Sequence, residues 1–487
     1  MTLQFFIFLF LTGLIAFLTF LKCRADIRKQ AGQSIDGNKE VFLAGGGLTW
    51  IFVAGSITLT NLSTDQLVGM NGNQMALLAW WEFAAVAGLL ILAKVMLPVY
   101  YKYKCTTTTE LLEKRYGNHH IRALIGLLFL LGNVFIFIPT ALYSGSLFMK
   151  SMFALDYPII YIAMVFAAVG TAYAVFGGLR AVAISDAYSG VLLLVLGIVV
   201  VFLALQAIDF DFSGIPRERL TMIGANDSPI PWHTLLTGMI FIQVFYWCTN
   251  QTITQRAMAS PTVQEGQKGV YAAAAIRFLL VPPMIVIPGI VSFKLYGDIG
   301  DSAFGTIVGD VLPSYLSGAF AAAIAAAVLT TVNSILNSST ALYVCDIHEK
   351  YFKSEPNVPR LNAIMTLVIV VIGLIMVPIY AQAESIINLI QQLYGLLSMP
   401  ILSAFIVGLL FTDVDYRAAI IAVVFGVSLY AFFSFVWNPL HYIHMMAITL
   451  ITCVATALFI SRSAFGTRPR LSFAMRGEPS ADLQVQQ

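Results

Sequence analysis

The chain has 487 residues, 59% hydrophobic and only 11% charged, with a mean hydropathy of +0.84 and a formal net charge of +2. A soluble domain carries roughly 25% charged residues, so this composition excludes a soluble globular protein and leaves no room for a large aqueous domain. No basic cluster suggests nucleic-acid binding, and the small net charge matters less than where the charges fall.

The apolar stretches are mostly about 20 residues or longer, too long for core strands and suited to crossing a bilayer as helices. Thirteen spans are predicted, at 4–22, 48–71, 76–100, 121–148, 157–176, 183–206, 232–254, 269–294, 313–345, 361–381, 384–411, 416–437 and 441–461. The first has no basic residues before it and no small-residue cleavage site, and Lys22, Arg24, Arg28 and Lys29 follow it. That pattern reads as a span with its N-terminus outside, not as a signal peptide. In this orientation 21 Lys or Arg fall on inside segments, with Arg122 counted in its adjacent loop, against four outside: Lys150, Arg217, Arg219 and Lys294. Lys94 and Arg277 lie within spans. The bias obeys the positive-inside rule and predicts a multi-pass protein of a plasma or inner membrane with a cytoplasmic C-terminus.

The second span is broken by Thr58-Leu59-Thr60-Asn61-Leu62-Ser63-Thr64-Asp65-Gln66, where seven of nine residues are polar. Lipid penalises each unsatisfied polar group by several kcal/mol, so such a run is tolerated only against protein or a water-filled cavity. It therefore points to a binding site near the midplane. In the third span Glu82 follows Trp80-Trp81, which offers a carboxylate beside aromatic faces, a combination suited to sugars. An interfacial aromatic belt explains Trp80 and Trp81 equally well. Lys94, near the inner end of that span, is expected to snorkel. Asp186, after Gly177-Gly178-Leu179-Arg180, either pairs with Arg180 or faces an ion path.

The loop Asp209–His233 separates the sixth and seventh spans. With the first span peripheral, it divides the next ten into two groups of five, which must run in opposite directions as inverted repeats. The predicted parts are 1–43 (a peripheral helix and cytosolic loop), 44–208 (the first repeat), 209–411 (the loop and second repeat) and 412–487 (two peripheral helices and a tail). The first span of the second repeat is also interrupted, at Gln243 and at Tyr246-Trp247-Cys248-Thr249-Asn250-Gln251. Arg277 in the eighth span either snorkels or belongs to the site. In span 313–345 an alanine-rich stretch precedes Thr330, Thr331, Asn333, Ser334 and Asn337. Thr330, Asn333, Ser334 and Asn337 share one helix face. Those oxygens suit a small hard cation, and back-bonding to their own helix is the alternative. Gln391 in the eleventh span offers an amide to a polyhydroxyl ligand or to a neighbouring helix.

The five cysteines are scattered, without metal-ligand spacing, and read as free thiols. No phosphate-binding loop or nucleophile motif is present, so a transporter not driven by ATP hydrolysis is expected, not an enzyme.

Several local patterns together resemble one family. They are Asn61–Gln66 (NLSTDQ) with Val68–Gly72, Trp81-Glu82, Phe176–Leu179 with Ser185-Asp186, Tyr246–Gln251 with Gln255-Arg256, Thr330–Ser338, Cys345-Asp346 with Lys350-Tyr351, and Ile390-Gln391 with Gly395. In this order over about residues 40–415 the chain resembles the sodium:solute symporters, specifically the sodium/glucose cotransporter branch. The resemblance implies an all-α integral membrane fold of about 13 helices around a LeuT-type core of five plus five inverted-repeat helices. It implies a Na⁺ site from the carbonyls of Leu59, Leu62 and Ala327 and the hydroxyls of Thr330 and Thr331, with Asp186 as a possible second Na⁺ site. It further implies substrate contacts at Gln66, Glu82, Gln243, Arg277, Gln391 and Trp247, and a gate made by Asn61 and Tyr246. Ala85 stands where a bacterial galactose transporter has serine, and Arg277 where the sugar branch often has lysine.

The function this implies is uptake of a monosaccharide or similar polyol driven by inward Na⁺ flow. Because a guanidinium can hold a carboxylate bidentately, an acidic, sialic-acid-like sugar bound through Arg277 is an alternative. A membrane sensor or uniporting channel is an alternative of another class, although the tail 462–487 is short for a signalling domain. The expected partners are the solute, Na⁺ and the bilayer; neither nucleic acid nor an obligate protein partner is indicated.

Overall fold

The computed structural model describes residues 2–30, 42–352 and 357–473. Most of the predicted first cytosolic loop, Lys353 and the end of the predicted tail lie outside the described residues, as do the side chains of 26–30 and of 175–178 in the Phe176–Leu179 motif. The main helices are α1 (Thr2–Gln30), α2 (Trp50–Asn61), α3 (Thr64–Gly72), α4 (Ala76–Lys102), α5 (His119–Met152), α6 (Ile159–Ala207) and α7 (Gly238–Cys248). They continue as α8 (Gln251–Met258), α9 (Val263–Tyr296), α10 (Ser314–Tyr351), α11 (Val358–Tyr380), α12 (Ile386–Leu410), α13 (Tyr416–Phe435) and α14 (Tyr442–Ser463). Among the described residues ten helices are long and apolar enough to cross a membrane, and Trp50–Asn61, Ile159–Ala172 and Gly238–Cys248 are shorter apolar ones. The expected thirteen crossings are reached only by counting these three as well.

Both expected interruptions are backbone breaks. Between α2 and α3, Leu62 (φ −75°, ψ 59°) and Ser63 (φ −89°, ψ 172°) leave the helical region. Leu62 N still donates to Thr58 O at 2.8 Å and Leu67 N to Ser63 O at 3.0 Å, so the carbonyls from Leu59 to Leu62 lose their usual amide partners. Between α7 and α8, Thr249 (φ −121°, ψ −22°) and Asn250 (φ −66°, ψ 118°) make the second break, and the Asn250 side chain caps α8 by accepting from Thr252 N. Three longer helices carry π-turns: Leu342–His348 in α10 and, each just ahead of a proline, Leu92–Met96 in α4 and Asn133–Phe137 in α5. Pro98 and Pro139 follow closely, and a proline lacks the N–H and crowds the preceding turn, which a π-turn accommodates.

The sequence predicts two separate spans at 157–176 and 183–206, whereas α6 is helical throughout its 49 residues. A straight rod of that length would measure about 74 Å, against a hydrocarbon core of ~30 Å. Gly170 lies against Val332, yet Asp186 lies beside Thr330, two residues away on α10. A straight helix would hold residues 170 and 186 about 24 Å apart, so α6 is sharply bent. It has the length of two crossings joined without loss of backbone hydrogen bonds.

At the centre stands α10, whose Ala319–Ala327 stretch is buried and whose small side chains let α1, α5 and α6 approach. The edges are different. Only 6% of the apolar window of α1 is buried within the protein, leaving its Leu and Phe side chains facing outward.

Candidate functional site

A cavity opens where the broken helices face α4, α5 and α12. It contains about 600 Å³ of space between atoms and is lined by Asn61, Asp65, Gln66, Met70, Trp81, Glu82, Ala85, Phe137, Ile242, Gln243, Tyr246, Trp247, Ile387, Ile390, Gln391 and Tyr394. Six of the predicted solute and gate residues on α3, α4, α7 and α12 therefore meet around one space: Gln66, Glu82, Gln243, Tyr246, Trp247 and Gln391. Asn61, at the end of α2, joins them. Trp80 is turned away from the cavity, its Nε1 donating to Met222 O at 2.7 Å.

Arg277 departs from expectation. It is fully buried, which rules out snorkelling, and it is absent from the cavity lining. Its Nη2 lies 2.5 Å from Glu82 Oε1, while the guanidinium stacks over Trp247 at 4.9 Å. Gln66 Nε2 also donates to Glu82 Oε1, and Gln66 Oε1 accepts from Arg277 Nη2 at 3.4 Å. Glu82 Oε2 has no partner. The pair thus fixes Gln66 and Glu82 from behind, with one carboxylate oxygen still to be satisfied. Gln243 Nε2 donates to the Trp81 backbone carbonyl at 3.1 Å and Gln243 Oε1 accepts from Trp247 Nε1 at 2.9 Å, so the amide orients the Trp247 indole and ties it to the α4 backbone.

The floor is the contact Asn61 Nδ2 to Tyr246 OH, 2.8 Å, which joins the end of α2 to α7. Tyr394 packs edge-on against Tyr246 and accepts from Asn250 Nδ2 at 3.1 Å. Beneath lies a second, smaller chamber lined by Thr60, Ser63, Asp65, Phe137, Tyr246, Asn250, Thr252, Thr331 and Ile335. Asp65, Phe137 and Tyr246 border both spaces.

The expected cation ligands lie on the lower side of the break. Thr331 Oγ1 is buried and unpartnered, as an oxygen reserved for a cation would be, while Thr330 Oγ1 donates to Ala327 O at 3.2 Å and keeps a lone pair. Leu59 and Leu62 sit at the break, where carbonyls have been freed. These residues fit a small, hard, oxygen-liganded ion. Asp186 is fully buried beside them. It accepts from Ser56 Oγ at 2.5 Å and Thr60 Oγ1 at 3.5 Å on α2 and lies beside Thr330 of α10, with its Oδ1 buried and unpartnered. Its ion-pair partner is Arg256, at 3.7 Å, where the sequence suggested Arg180; Arg180 instead donates to Ala44 O at 2.9 Å.

Arg256 is a second correction. Counted with the inner loop residues, it is in fact fully buried on α8, bonded to Ser56 Oγ at 2.7 Å and to Ser334 Oγ. Sequence reasoning also missed Phe137 and Tyr394. The spacing of Tyr394 from Gln391 places the two on one helix face, and Pro139 marks the irregular turn that presents Phe137.

A helical membrane protein whose polar cavity is bounded by two broken helices has the architecture of a secondary transporter. The chain belongs to the Sodium:solute symporter family, whose profile matches residues 41–426. It is 32% identical to the "Uncharacterized symporter YidK" of Escherichia coli (strain K12), over 94% of this chain and 83% of that protein. It is 27% identical to the "Sodium/glucose cotransporter" of Vibrio parahaemolyticus, over 87% of this chain and 84% of that one. Among solved structures, a Na⁺-coupled sialic acid symporter in a substrate-bound outward-open state superposes with a TM-score of 0.81 at 16% identity, covering 97% of this chain and 99% of that one. The fold is thus the all-α, LeuT-type fold, and the relatives are transporters.

Proposed function

We propose that this protein couples inward Na⁺ flow to uptake of a neutral monosaccharide or similar polyol by alternating access. The carrying observation is that Arg277, whose guanidinium is bonded to the lining residue Glu82 at 2.5 Å, is not itself part of the lining. What faces the solute is then a set of amides, the carboxylates of Asp65 and Glu82, and two indoles, which matches hydroxyls and apolar ring faces. An acidic sugar would meet Asp65 and Glu82 with no exposed guanidinium to receive it. In this reading Gln66, Glu82, Gln243, Gln391 and Trp247 hold the solute, with Arg277 positioning Glu82 and Gln66. Asn61 and Tyr246 close the floor.

Na⁺ would be held by Leu59, Leu62, Ala327, Thr330 and Thr331, with a further ion position at Asp186, and its inward flow supplies the driving force. One Na⁺ crossing 100 mV yields roughly 2.3 kcal/mol, and a tenfold gradient roughly 1.4 more, enough for a several-hundred-fold solute gradient. The proposed orientation keeps the N-terminus outside, with repeats at 44–208 and 209–411. Uptake of labelled sugar into proteoliposomes, with and without an inward Na⁺ gradient, tests the reading. Equal uptake in both would sink sodium coupling, and stronger competition by carboxylated than by neutral sugars would sink the neutral-solute assignment.

A further inference from the structure

Of the carboxylates buried among the membrane helices or lining their cavities, Glu82 pairs with Arg277 at 2.5 Å, Asp346 with Arg122 at 2.7 Å and Asp186 with Arg256 at 3.7 Å. Asp65 has no ion pair among the described residues; Ser63 Oγ donates to its Oδ1. It stands in the first turn of α3, bordering the solute cavity above and the smaller chamber below. Among the described residues no Lys, Arg or His lines either space. A carboxylate at this depth without a counter-charge costs several kcal/mol. The amide dipoles at the start of α3 offset about half a charge at most.

The lower chamber contains what would supply the rest. Its polar lining includes, besides Asp65, Tyr246, Asn250 and Thr252, the hydroxyls of Thr60, Ser63 and Thr331, and Thr331 is only 6% exposed with its hydroxyl unpartnered. Oxygen ligands around one carboxylate suit a hard cation of low charge. We propose that this chamber is a binding position for Na⁺, held by Asp65 with Ser63, Thr60 and Thr331. It is separate from the site expected at Leu59, Leu62, Ala327, Thr330 and Thr331 and shares only Thr331 with it. The proposal rests on the sodium-symport reading. Because Asp65 also borders the solute cavity, an ion here changes the charge that the solute meets, which couples the two spaces directly.

The test measures binding of radioactive sodium to the full-length purified protein, together with the Na⁺ dependence of solute uptake, for wild type, Asp65→Asn, Asp65→Glu and Thr330→Ala. The expected result is that Asp65→Asn lowers sodium bound per chain by about half and weakens the Na⁺ dependence of uptake by about tenfold. Asp65→Glu should restore both, and Thr330→Ala should remove the component that Asp65→Asn retains. Wild-type sodium binding in Asp65→Asn overturns the proposal and leaves symport standing. A loss that Asp65→Glu does not rescue, accompanied by a lower melting temperature, also overturns it, because the carboxylate is then only bracing the helix. Absence of sodium binding in the wild type overturns the symport reading and this proposal together.

Discussion

The pair Glu82–Arg277 shows how far single residues can be read. The sequence marks both as intramembrane charges, but that they neutralise each other depends on the packing of α4 against α9, which no local pattern encodes. The same is true of Asp186 and Arg256. Removing one member of such a pair leaves the other buried and unpaired, so Arg277→Met should destabilise the protein by about 3–5 kcal/mol. The double variant Glu82→Gln/Arg277→Met should recover most of the melting temperature and still fail to take up solute, which separates stability from recognition. Gln391 borders the cavity. Gln391→Ala is expected to weaken solute affinity by about tenfold, the effect of one or two lost hydrogen bonds, with sodium binding little changed. Thr331→Ala should raise the Na⁺ concentration needed for half-maximal uptake, and Thr331→Ser should largely keep it. An uptake titration distinguishes them.

At the level of elements, the two broken helices were legible because the bilayer makes polar backbone conspicuous: NLSTDQ and the Tyr246–Gln251 run stand out in apolar surroundings, and the breaks fall at Leu62-Ser63 and Thr249-Asn250. The uninterrupted bend of α6 was not legible, since glycines between two apolar stretches read as a loop as readily as a flexed helix. Contacts between helices were equally hidden. Gly88 on α4 is an example: a Cβ there would lie 2.6 Å from Gln243 O and 2.7 Å from Trp247 Cδ1. The carbonyl belongs to the α7 backbone and cannot turn aside. Gly88→Ala should therefore push α7 away from α4, at about 1–3 kcal/mol. It should also reduce solute affinity through Gln243 and Trp247, which a melting curve and an uptake assay would register together.

For the whole molecule, the distribution of Lys and Arg carried the predicted topology, while Arg256 shows where counting by sequence position misleads. One connection at the opposite end links the two halves. Asp301, between α9 and α10, accepts from Ile386 N at the start of α12 at 2.8 Å and abuts Gly72 at the end of α3, with its Oδ1 buried and unpartnered. Burial pushes its pKa up from 3.8 to about 7, opposed by the Ile386 amide. A carboxyl raised in this way adds stability that is complete below its unfolded value and is lost as pH rises through the folded one. Melting temperature should therefore fall as pH rises from about 4 to about 7 and level off above that, and Asp301→Asn should flatten that slope. The packing of Trp247 against Arg277 has an optical consequence. Two of the six tryptophans, Trp81 and Trp247, border the solute cavity. The indole emission of the unlabelled protein should shift when a ring displaces water beside them, so the molecule contains its own reporter of occupancy, and Trp247→Phe should dim that signal.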